Sequence, residues 1–359
     1  MSEDQQFLFT GSYAPAGQAG IHVFKFNVSK GSLKLQKSVS GIMNPSFLII
    51  HANGRWLYAV SETGLDVDGR DGEVCAFKIE RDPLKVELAN KRSTNGDYPC
   101  HLSIDNTGRW LLAANYGSGS VAVYPIQPGG KLGEISSFVE HKGQGPNRER
   151  QERAHVHSTT LAPDNRFVIV ADLGIDQLVI YRFDDIYGRL SAHATTNTRS
   201  GAGPRHCVFH PLGRRLYVAN ELDNTVTVYE YDGDRGLLLE LQTLDTLPAG
   251  TPANTAADIH FSPLSGRVYV SNRGHNSIAV FAVDKDGKLE NRGFPTCDGD
   301  WPRNFTISPG GRFIVVANRY SNDLSVLPVQ VDEGELGQRV TMADVNQPTC
   351  VQFGNLPAS

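Results

Sequence analysis

With 359 residues, the chain could form two or three average domains, although an all-β barrel or propeller can reach this length as one unit. Hydrophobic residues make up 40% and charged residues 20% of the chain, which is typical of a globular protein and argues against disorder. The net charge of −5 argues against nucleic acid or an anionic membrane as a partner, and leaves open a small ligand held by local arginines.

The cysteines and the N-terminus indicate a reducing compartment. Five cysteines are scattered through the chain without a CxxC or zinc-like spacing, which favours free thiols that fill strands. The N-terminal stretch "MSEDQQFLFTGS" contains no apolar run long enough for a signal peptide, and no stretch approaches the roughly 20 apolar residues that span a bilayer. We therefore expect a cytoplasmic protein.

A unit of strand, tight turn and strand recurs along the chain. The fourth copy, "PRHCVFHPLGRRLYVANE", joins two runs of β-favouring residues through a Gly-containing turn, and a third apolar run, "NTVTVYEY", follows it. Six copies occupy residues 45–62, 99–116, 156–173, 204–221, 257–273 and 302–319. Their turn arginines lie 45 to 57 residues apart, a period that is typical of one four-stranded propeller blade.

Both chain ends resemble parts of a seventh copy. The C-terminal "QPTCVQFGN" resembles a first strand, whereas the N-terminal "FLFTGSY" and "GIHVFKFN" resemble a second and a third. Pairing them would close the ring and protect its edge strands. The sequence therefore predicts an all-β, seven-bladed propeller with four antiparallel strands per blade, as one domain over residues 1–359. Two insertions interrupt the repeat, at 63–72 and 140–154, and we interpret the second, charge-rich one as a solvated loop.

Equivalent positions in all blades of a propeller face one axial channel, so each aligned column becomes a ring in space. The first such column, at the start of each copy, contains Ser46, Cys100, His157, Arg205, Ala257 and Arg303, with Asp258 displaced by one position. The second column is nearly uniform: Ser61, Asn115, Asp172, Asn220, Asn272 and Asn318. Because short Asn and Asp side chains can bond nearby backbone groups where strands end, we interpret this second column as structural.

A third column differs in charge and size from blade to blade. It contains Glu62, Tyr116, Leu173, Glu221, Arg273 and Arg319. A packing requirement would ask for the same residue in every copy, so this variation favours a binding site imposed on a repeated scaffold. Each charged residue could equally be a solvated residue of the rim.

The pair of histidines in "RAHVHST" raises the question of a metal site. In an extended chain His155 and His157 would share one face, but no second cluster supplies further ligands at a recognised spacing. We therefore expect no zinc site. His157 is better interpreted as an acid/base or hydrogen-bonding group, with His155 supporting it.

Four stretches carry a resemblance to a known family: "GQGPNRERQERAHVHS", "GAGPRHCVFHPLGRRLYVANELDNTV", "AADIHFSP" and "YVSNRGHNSIAVF". With them, the whole chain resembles the lactonase family of seven-bladed propellers, which includes 6-phosphogluconolactonases and carboxy-cis,cis-muconate cyclases. The resemblance implies a site of one histidine, two arginines and one glutamate, which correspond to His157, Arg205, Glu221 and Arg273. It also implies hydrolysis of 6-phosphoglucono-1,5-lactone in the pentose phosphate pathway of carbohydrate metabolism, with cyclisation of a muconate or hydrolysis of another sugar lactone as alternatives.

Opening a lactone requires an activated water, stabilisation of the oxyanion and a proton for the departing alkoxide. We expect Glu221 or His157 to be the general base, and Arg205 and Arg273 to bind the oxyanion and any carboxylate or phosphate of the substrate. The predicted substrate-binding residues are His155, Asp258, Arg303, Arg319 and Glu62, and the arginines of the 140–154 loop are further contacts for a phosphate.

No cofactor or metal is expected in this site, and the expected partner is a small lactone, with the protein a monomer or a weak homo-oligomer. Two alternatives remain open from the sequence. A calcium ion held by Glu221, Asn115 and Asp172 is one, because these residues supply the oxygen ligands that calcium prefers. A propeller without catalytic activity, serving as an interaction platform, is the other.

Overall fold

The structure is a computed structural model that describes residues 5–69, 71–252, 254–330 and 333–356. Strands β1 (Gln5–Ser12), β2 (Ile21–Asn27) and β3 (Leu33–Val39) come first in the chain. The next three sheets are β4 (Leu48–Ile50), β5 (Trp56–Ser61), β6 (Glu73–Glu80) and β7 (Lys85–Ser93); β8 (Pro99–Ile104), β9 (Trp110–Asn115), β10 (Ser120–Pro125) and β11 (Ser137–Glu140); and β12 (Val156–Leu161), β13 (Phe167–Asp172), β14 (Gln177–Asp184) and β15 (Arg189–Asn197).

The remaining sheets follow the same plan. They are β16 (Pro204–Phe209), β17 (Arg215–Asn220), β18 (Thr225–Asp232) and β19 (Leu237–Asp245); β20 (Thr255–Ser262), β21 (Arg267–Arg273), β22 (Ser277–Val283) and β23 (Leu289–Gly293); and β24 (Pro302–Ile307), β25 (Phe313–Asn318), β26 (Asp323–Pro328) and β27 (Thr341–Asp344). The last strand is β28 (Pro348–Gly354). Every pairing within these sheets is antiparallel, and the seven four-stranded blades confirm the predicted propeller.

The closing blade joins the two chain ends. Its strand order is β28, β1, β2 and β3, so the C-terminal segment supplies the innermost strand and the N-terminal segment the other three. Strand β1 is hydrogen-bonded on one side to β2 and on the other to β28. The prediction that the termini share the seventh blade is confirmed, and the pairing removes two open edges.

The innermost strands form the wall of the axial channel. These strands are β4, β8, β12, β16, β20, β24 and β28, and each contacts the innermost strand of the next blade around the ring. In six of the seven blades this strand carries a β-bulge near its start, for example between Val156 and Ser158 and between Pro204 and His206. A bulge places one extra residue in the strand and re-aims its side chain.

The hydrophobic core lies between neighbouring blades. Tyr58, Phe77 and Leu111 belong to one cluster of fully buried side chains that spans adjacent sheets. The Tyr58 hydroxyl donates to the Gly130 carbonyl of the next blade, at 2.8 Å. Gly130 has φ +76°, and a Cβ there would lie 1.9 Å from the Trp56 ring, so the turn requires glycine on both counts.

The insertion at 63–72 contains the short helix α1 (Leu65–Asp68). In the described part of the chain, no helix is both long and apolar enough to cross a membrane.

Candidate active site

A cavity of about 290 Å³ lies at one end of the axial channel, where the innermost strands begin and the second strands of the blades end. Its lining residues come from six of the seven blades and the connections that lead into them: Glu62, Cys100, Tyr116, Arg150, His157, Glu221, Thr255, Arg273, Trp301, Arg303 and Arg319. Four arginines face two glutamates, so the cavity is positively charged. Three of the predicted catalytic residues line it, and the fourth, Arg205, lies buried against them.

Two features of each blade position these side chains. The bulged residue of the innermost strand supplies Cys100, His157 and Arg303, as well as Arg205. The residue at or just beyond the end of the second strand supplies Glu221 and the other third-column residues. Each bulge is determined by the residues of its own blade. The residues of different blades come into contact only because the ring of blades is closed.

Glu221 is the centre of an arginine cluster. Its Oε2 lies 2.8 Å from Arg273 Nη2 and 3.0 Å from Arg205 Nε, and its Oε1 accepts a hydrogen bond of 2.5 Å from Arg150 Nη2. Burial alone would raise the pKa of Glu221, but Arg273, Arg205 and Arg150 overcome this effect and hold the pKa far below its usual range. A carboxylate that is held ionised by three cations is a poor proton acceptor and a good anchor.

The two predicted oxyanion binders each keep unused donors. Arg273 donates from Nη2 to the Ala256 carbonyl and from Nε to the Thr255 carbonyl, whereas its Nη1 bonds none of the described residues. Arg205 donates from Nη1 to the Ala257 carbonyl at 2.7 Å, and its Nη2 likewise bonds none of them. Burial and neighbouring Arg273 lower the pKa of Arg205 to about 9, which still leaves it a cation at neutral pH.

His157 lies in the same cavity as an electrically neutral ring. Burial, followed by the positive charge of Arg205, lowers the pKa of His157 well below the usual histidine value. Its Nδ1 lies 3.8 Å from the Cys100 sulfur, and the ring packs edge-on against Tyr116 at 5.5 Å between centroids. Its Nε2 has no hydrogen-bond partner among the described residues, so this nitrogen is free to bind a water molecule or a substrate.

His155 stands behind the cavity and does not line it. Its ring stacks on Tyr116 at 4.4 Å, while Nδ1 lies 2.9 Å from the Tyr116 carbonyl oxygen and Nε2 lies 3.1 Å from Glu152 Oε2. The structure therefore places His155 as a support for Tyr116, which itself faces the cavity. Contact of His155 with substrate remains a prediction that this geometry does not favour.

The 140–154 loop is more than a solvated connection. Gln151 is fully buried and donates from Nε2 to the Leu173 carbonyl and to Asp176 Oδ1. This anchor lets Arg150 reach Glu221, whereas Arg148 is exposed and Arg153 pairs with Glu152 near the surface. Of the arginines in this loop, which the sequence predicts as further contacts for a phosphate, Arg150 thus lines the cavity.

Glu62, Arg303 and Arg319 form the other side of the cavity around the ring of Tyr13. The Tyr13 hydroxyl donates to Glu62 Oε1 at 2.9 Å, and the Ser46 hydroxyl donates to Glu62 Oε2. The two guanidinium groups lie over the Tyr13 ring, at 5.5 Å for Arg303 and 4.5 Å for Arg319. Among the described residues, neither arginine has a carboxylate within ion-pair distance, so both are available to an anionic ligand.

Asp258 lies outside this cavity. Its carboxylate lines a second cavity of about 370 Å³, together with His101, His206, His260 and Asn304. The sequence pattern predicts Asp258 as a first-column residue displaced by one position. In the structure it belongs to the column that follows the first, which contains Phe47, His101, Ser158, His206, Asp258 and Asn304. Asp258 belongs to this deeper ring, so the structure does not place it against a ligand in the first cavity.

The second column is engaged in local hydrogen bonds. Asn220 Nδ2 donates to the hydroxyls of Thr225 and Thr227, which ties the end of β17 to the start of β18, and Asn272 and Asn318 make equivalent bonds in their own blades. Asp172 accepts from the backbone N–H groups of His155 and Gly174. Within the described ranges, no group of three His, Cys, Asp or Glu side chains has the arrangement of a metal site.

Comparison with known proteins identifies the family. Residues 7–353 match the family described as "Lactonase, 7-bladed beta-propeller". The chain belongs to this lactonase family. It is 34% identical over 347 residues to 6-phosphogluconolactonase of Bacillus subtilis strain 168, a match that covers 96% of this chain and 97% of the relative. A 6-phosphogluconolactonase of Pectobacterium carotovorum is 35% identical over 338 residues, covering 92% and 93% of the two chains.

A solved structure of a lactonase relative agrees with the fold. The periplasmic gluconolactonase PpgL of Pseudomonas aeruginosa superposes with a TM-score of 0.92 at 32% identity, covering 98% of this chain and all of that one. The resemblance drawn from the four sequence stretches is thereby confirmed.

Four lining residues of this lactonase-family site were not singled out as site residues from the sequence: Cys100, Tyr116, Thr255 and Trp301. Cys100 belongs to the first aligned column and Tyr116 to the third, and both columns predict side chains that face the channel. These column positions could therefore have identified both residues as lining the cavity. Trp301 precedes β24 in a loop with φ +65°, and its ring lies under Arg273 at 5.7 Å. Tyr98 occupies the equivalent position before β8, in "GDYPC" against "GDWPR", and also has a positive φ, of 53°, so this shared motif was a signal for Trp301.

Proposed function

We propose that the protein is a lactone hydrolase whose preferred substrate is 6-phosphoglucono-1,5-lactone. The observation that carries this proposal is that Arg273 and neutral His157 line one cavity, that Arg205 lies buried against it, and that each arginine has an unused Nη donor. Membership of the lactonase family supports the reaction class, and the names of the Bacillus and Pectobacterium relatives support the phosphorylated substrate.

The cavity supplies the groups that hydrolysis requires. In the proposed reaction, His157 Nε2 accepts a proton as the water oxygen attacks the lactone carbonyl. The carbonyl oxygen becomes an oxyanion, which Arg273 Nη1 and Arg205 Nη2 stabilise. The ring C–O bond then breaks, and the protonated His157 returns the proton to the departing alkoxide, which leaves a hydroxy acid and a neutral histidine.

Of the two bases left open by the sequence, His157 is favoured over Glu221. Both oxygens of Glu221 already face arginines, and protonating it would release three cations from their shared counter-ion. Glu221 therefore acts in this proposal as the anchor that aligns the arginines.

The phosphate of the substrate would bind Arg303 and Arg319. These arginines are free of carboxylate partners among the described residues, and a guanidinium binds phosphate oxygens through two parallel donors. The cytoplasmic location would suit such a substrate, and it stays a prediction because the Pseudomonas relative is periplasmic by name.

The direct experiment is a comparison of substrates. When acid release is followed by a pH indicator, we expect hydrolysis of 6-phosphoglucono-1,5-lactone with a higher kcat/KM than that of glucono-1,5-lactone. We expect no cyclisation of muconates in a separate assay. Absence of turnover on every lactone would overturn the proposal in favour of an interaction platform. Full activity after exhaustive chelation would dispose of the calcium alternative.

Substitution of Arg303 tests the phosphate subsite. A charge-assisted hydrogen bond contributes about 1.5–3 kcal/mol, so Arg303→Ala should lower kcat/KM for the phosphorylated lactone about 10- to 100-fold. Turnover of glucono-1,5-lactone, which lacks the phosphate, should change little. A suitable control is Arg312→Ala, because Arg312 is exposed in the turn before β25. An equal loss of kcat/KM on both substrates would show that Arg303 acts in the hydrolysis step and not in phosphate binding.

The pH dependence tests the role of His157. The neutral ring is the active form of the base, and its pKa is lowered, so activity should persist as the pH falls through 6.5, the ordinary histidine value. We expect kcat/KM for glucono-1,5-lactone to stay level across this range. The unphosphorylated substrate is used because a phosphate titrates near pH ~6 itself. A decline centred on the ordinary histidine value would contradict the assignment.

A further inference from the structure

A hydrogen-bonded chain runs from the active-site cavity to the second cavity, deeper in the channel. Arg205 Nη1 lies 3.3 Å from His206 Nε2, His206 Nδ1 lies 2.8 Å from Asp258 Oδ1, and His260 Nε2 lies 2.9 Å from Asp258 Oδ2. Arg205 and His206 are successive residues of β16, and the bulge between Pro204 and His206 sends their side chains to different levels of the channel. We call Arg205, His206, Asp258 and His260 the channel relay.

Asp258 is held ionised at the centre of the channel relay. Oδ1 accepts from His206 and from the backbone N–H of Ile259, and Oδ2 accepts from His260, Asn304 Nδ2 and the backbone N–H of Phe305. Burial alone would raise the pKa of Asp258, but the two histidines hold it well below its usual range. A carboxylate with five donors around it can only accept, so the His206 nitrogen that faces it carries a proton.

This arrangement determines the tautomer of His206. Burial and the adjacent Arg205 cation lower the pKa of His206 to about 4, so the ring is neutral near pH 7 and has one N–H. With the proton on Nδ1 facing Asp258, the lone pair on Nε2 faces Arg205 Nη1. The opposite tautomer would set two N–H groups against each other and push the guanidinium away from its place beside Glu221.

We propose that His206 and Asp258 are positioning residues that orient Arg205 for the oxyanion, through the lone pair of His206 Nε2. The inference rests on the proposed lactonase activity for its kinetic test. Arg205 has a second fixed contact, the bond from Nη1 to the Ala257 carbonyl. Together these two acceptors orient one edge of the guanidinium and leave Nη2 for the substrate.

Two amide substitutions of His206 separate positioning from a purely structural role. The side-chain oxygen of Gln occupies about the place of Nε2, so His206→Gln keeps an acceptor for Arg205 and loses the bond to Asp258. His206→Asn does the reverse, because its amide reaches about as far as Nδ1. A misplaced catalytic group costs up to about 100-fold, so we expect His206→Asn to lower kcat about 10- to 100-fold with little change in KM, and His206→Gln to stay at least about tenfold more active.

The controls are the same two amide substitutions at a second histidine next to β16. His210 directly follows the last residue of β16, its side-chain contacts are with Leu212 and Phe261, and none of its described contacts is with an active-site residue, so His210→Gln and His210→Asn should match the wild type. Melting temperatures of all variants are measured alongside. If His206→Asn equals or exceeds His206→Gln in kcat, the acceptor at Nε2 is irrelevant and the inference is overturned.

A second measurement does not depend on activity. The ¹⁵N resonances of the His206 ring in the wild-type protein should show a protonated Nδ1 and an unprotonated Nε2, and Asp258→Asn should shift this balance. A His206 protonated on Nε2 would overturn the inference even in an active enzyme. An inactive wild type with the expected tautomer would refute the proposed function and leave the positioning geometry supported.

Discussion

Replacing Arg273 by alanine is expected to lower kcat/KM for lactone hydrolysis by about 100- to 1000-fold, the range found when one oxyanion donor is removed. Arg273 Nη1 is unused by the described residues and belongs to a guanidinium fixed by the Thr255 and Ala256 carbonyls and by Glu221. Because Arg205 and Arg150 still neutralise Glu221 in the variant, the fold should survive. The expected loss of activity therefore reflects weaker stabilisation of the transition state.

Arg273→Lys refines this prediction. Lysine keeps the positive charge, but its three donors leave from a single nitrogen, so it cannot contact Ala256 and Glu221 and also place a donor where Arg273 Nη1 lies. We expect activity close to that of Arg273→Ala. The matched control is Arg267→Ala, since Arg267 begins the same strand, β21, that Arg273 ends, and bonds carbonyls in surface turns. Unchanged kinetics of a folded Arg273→Ala variant would remove this residue from catalysis.

The repeat in the sequence is sufficient to predict the blades, because each copy must bury its faces against its neighbours and the incomplete ends can only do so by pairing with each other. It also predicts which positions face the channel. His157 and Arg303 come from different blades, 146 residues apart by their numbers, and both line one cavity as the column alignment indicates.

The column alignment does not predict the site residues correctly where the structure departs from the repeat. Asp258 was assigned to the wrong ring because Ala257, the bulged residue of its own blade, has no functional group to mark the true position. Arg150 enters the site from a loop whose path depends on the hydrogen bonds of buried Gln151, and loop paths have no periodic signal. Tyr13 joins the site only through the closing blade, where the copy is split between both chain ends.

The sequence also left the roles of Glu221 and His157 interchangeable. Residue type alone is consistent with either as a base, and the choice depends on how many cations surround each group. Three arginines meet Glu221, whereas Nε2 of His157 bonds none of the described residues. Those contacts arise from ring closure and one loop, so neither could be counted before the structure was known.

Replacing Glu221 by glutamine is expected to destabilise the protein by about 3–5 kcal/mol, the cost of removing one partner from a buried ion pair. The amide fills the same space, but Arg205 and Arg273 remain buried without a counter-ion, beside a partly exposed Arg150. Thermal and urea unfolding at pH 7 measure the loss, and activity should fall with it because the arginines repel one another.

The pH dependence of this loss has a defined sign. The pKa of Glu221 is depressed in the folded state, so its contribution is present above the unfolded value of 4.5 and disappears as the pH falls through the folded pKa. The difference in stability between the wild type and Glu221→Gln should therefore be largest near neutral pH and shrink under strongly acidic conditions. A difference that grows on acidification would contradict the ion cluster.

A double substitution distinguishes an anchor from a base. If Glu221 anchors three cations, removing one of them in Glu221→Gln/Arg150→Gln should recover part of the lost stability, since Arg150 then no longer adds to the unbalanced charge. If Glu221 were the base, Glu221→Gln would abolish turnover while the melting temperature stayed near that of the wild type, and Arg150→Gln would recover nothing. Arg150 contacts Glu221 and also lines the cavity, so its substitution could affect activity directly. The change in stability on replacing Arg150 is therefore measured without substrate, and it distinguishes the anchor role of Glu221 from the base role.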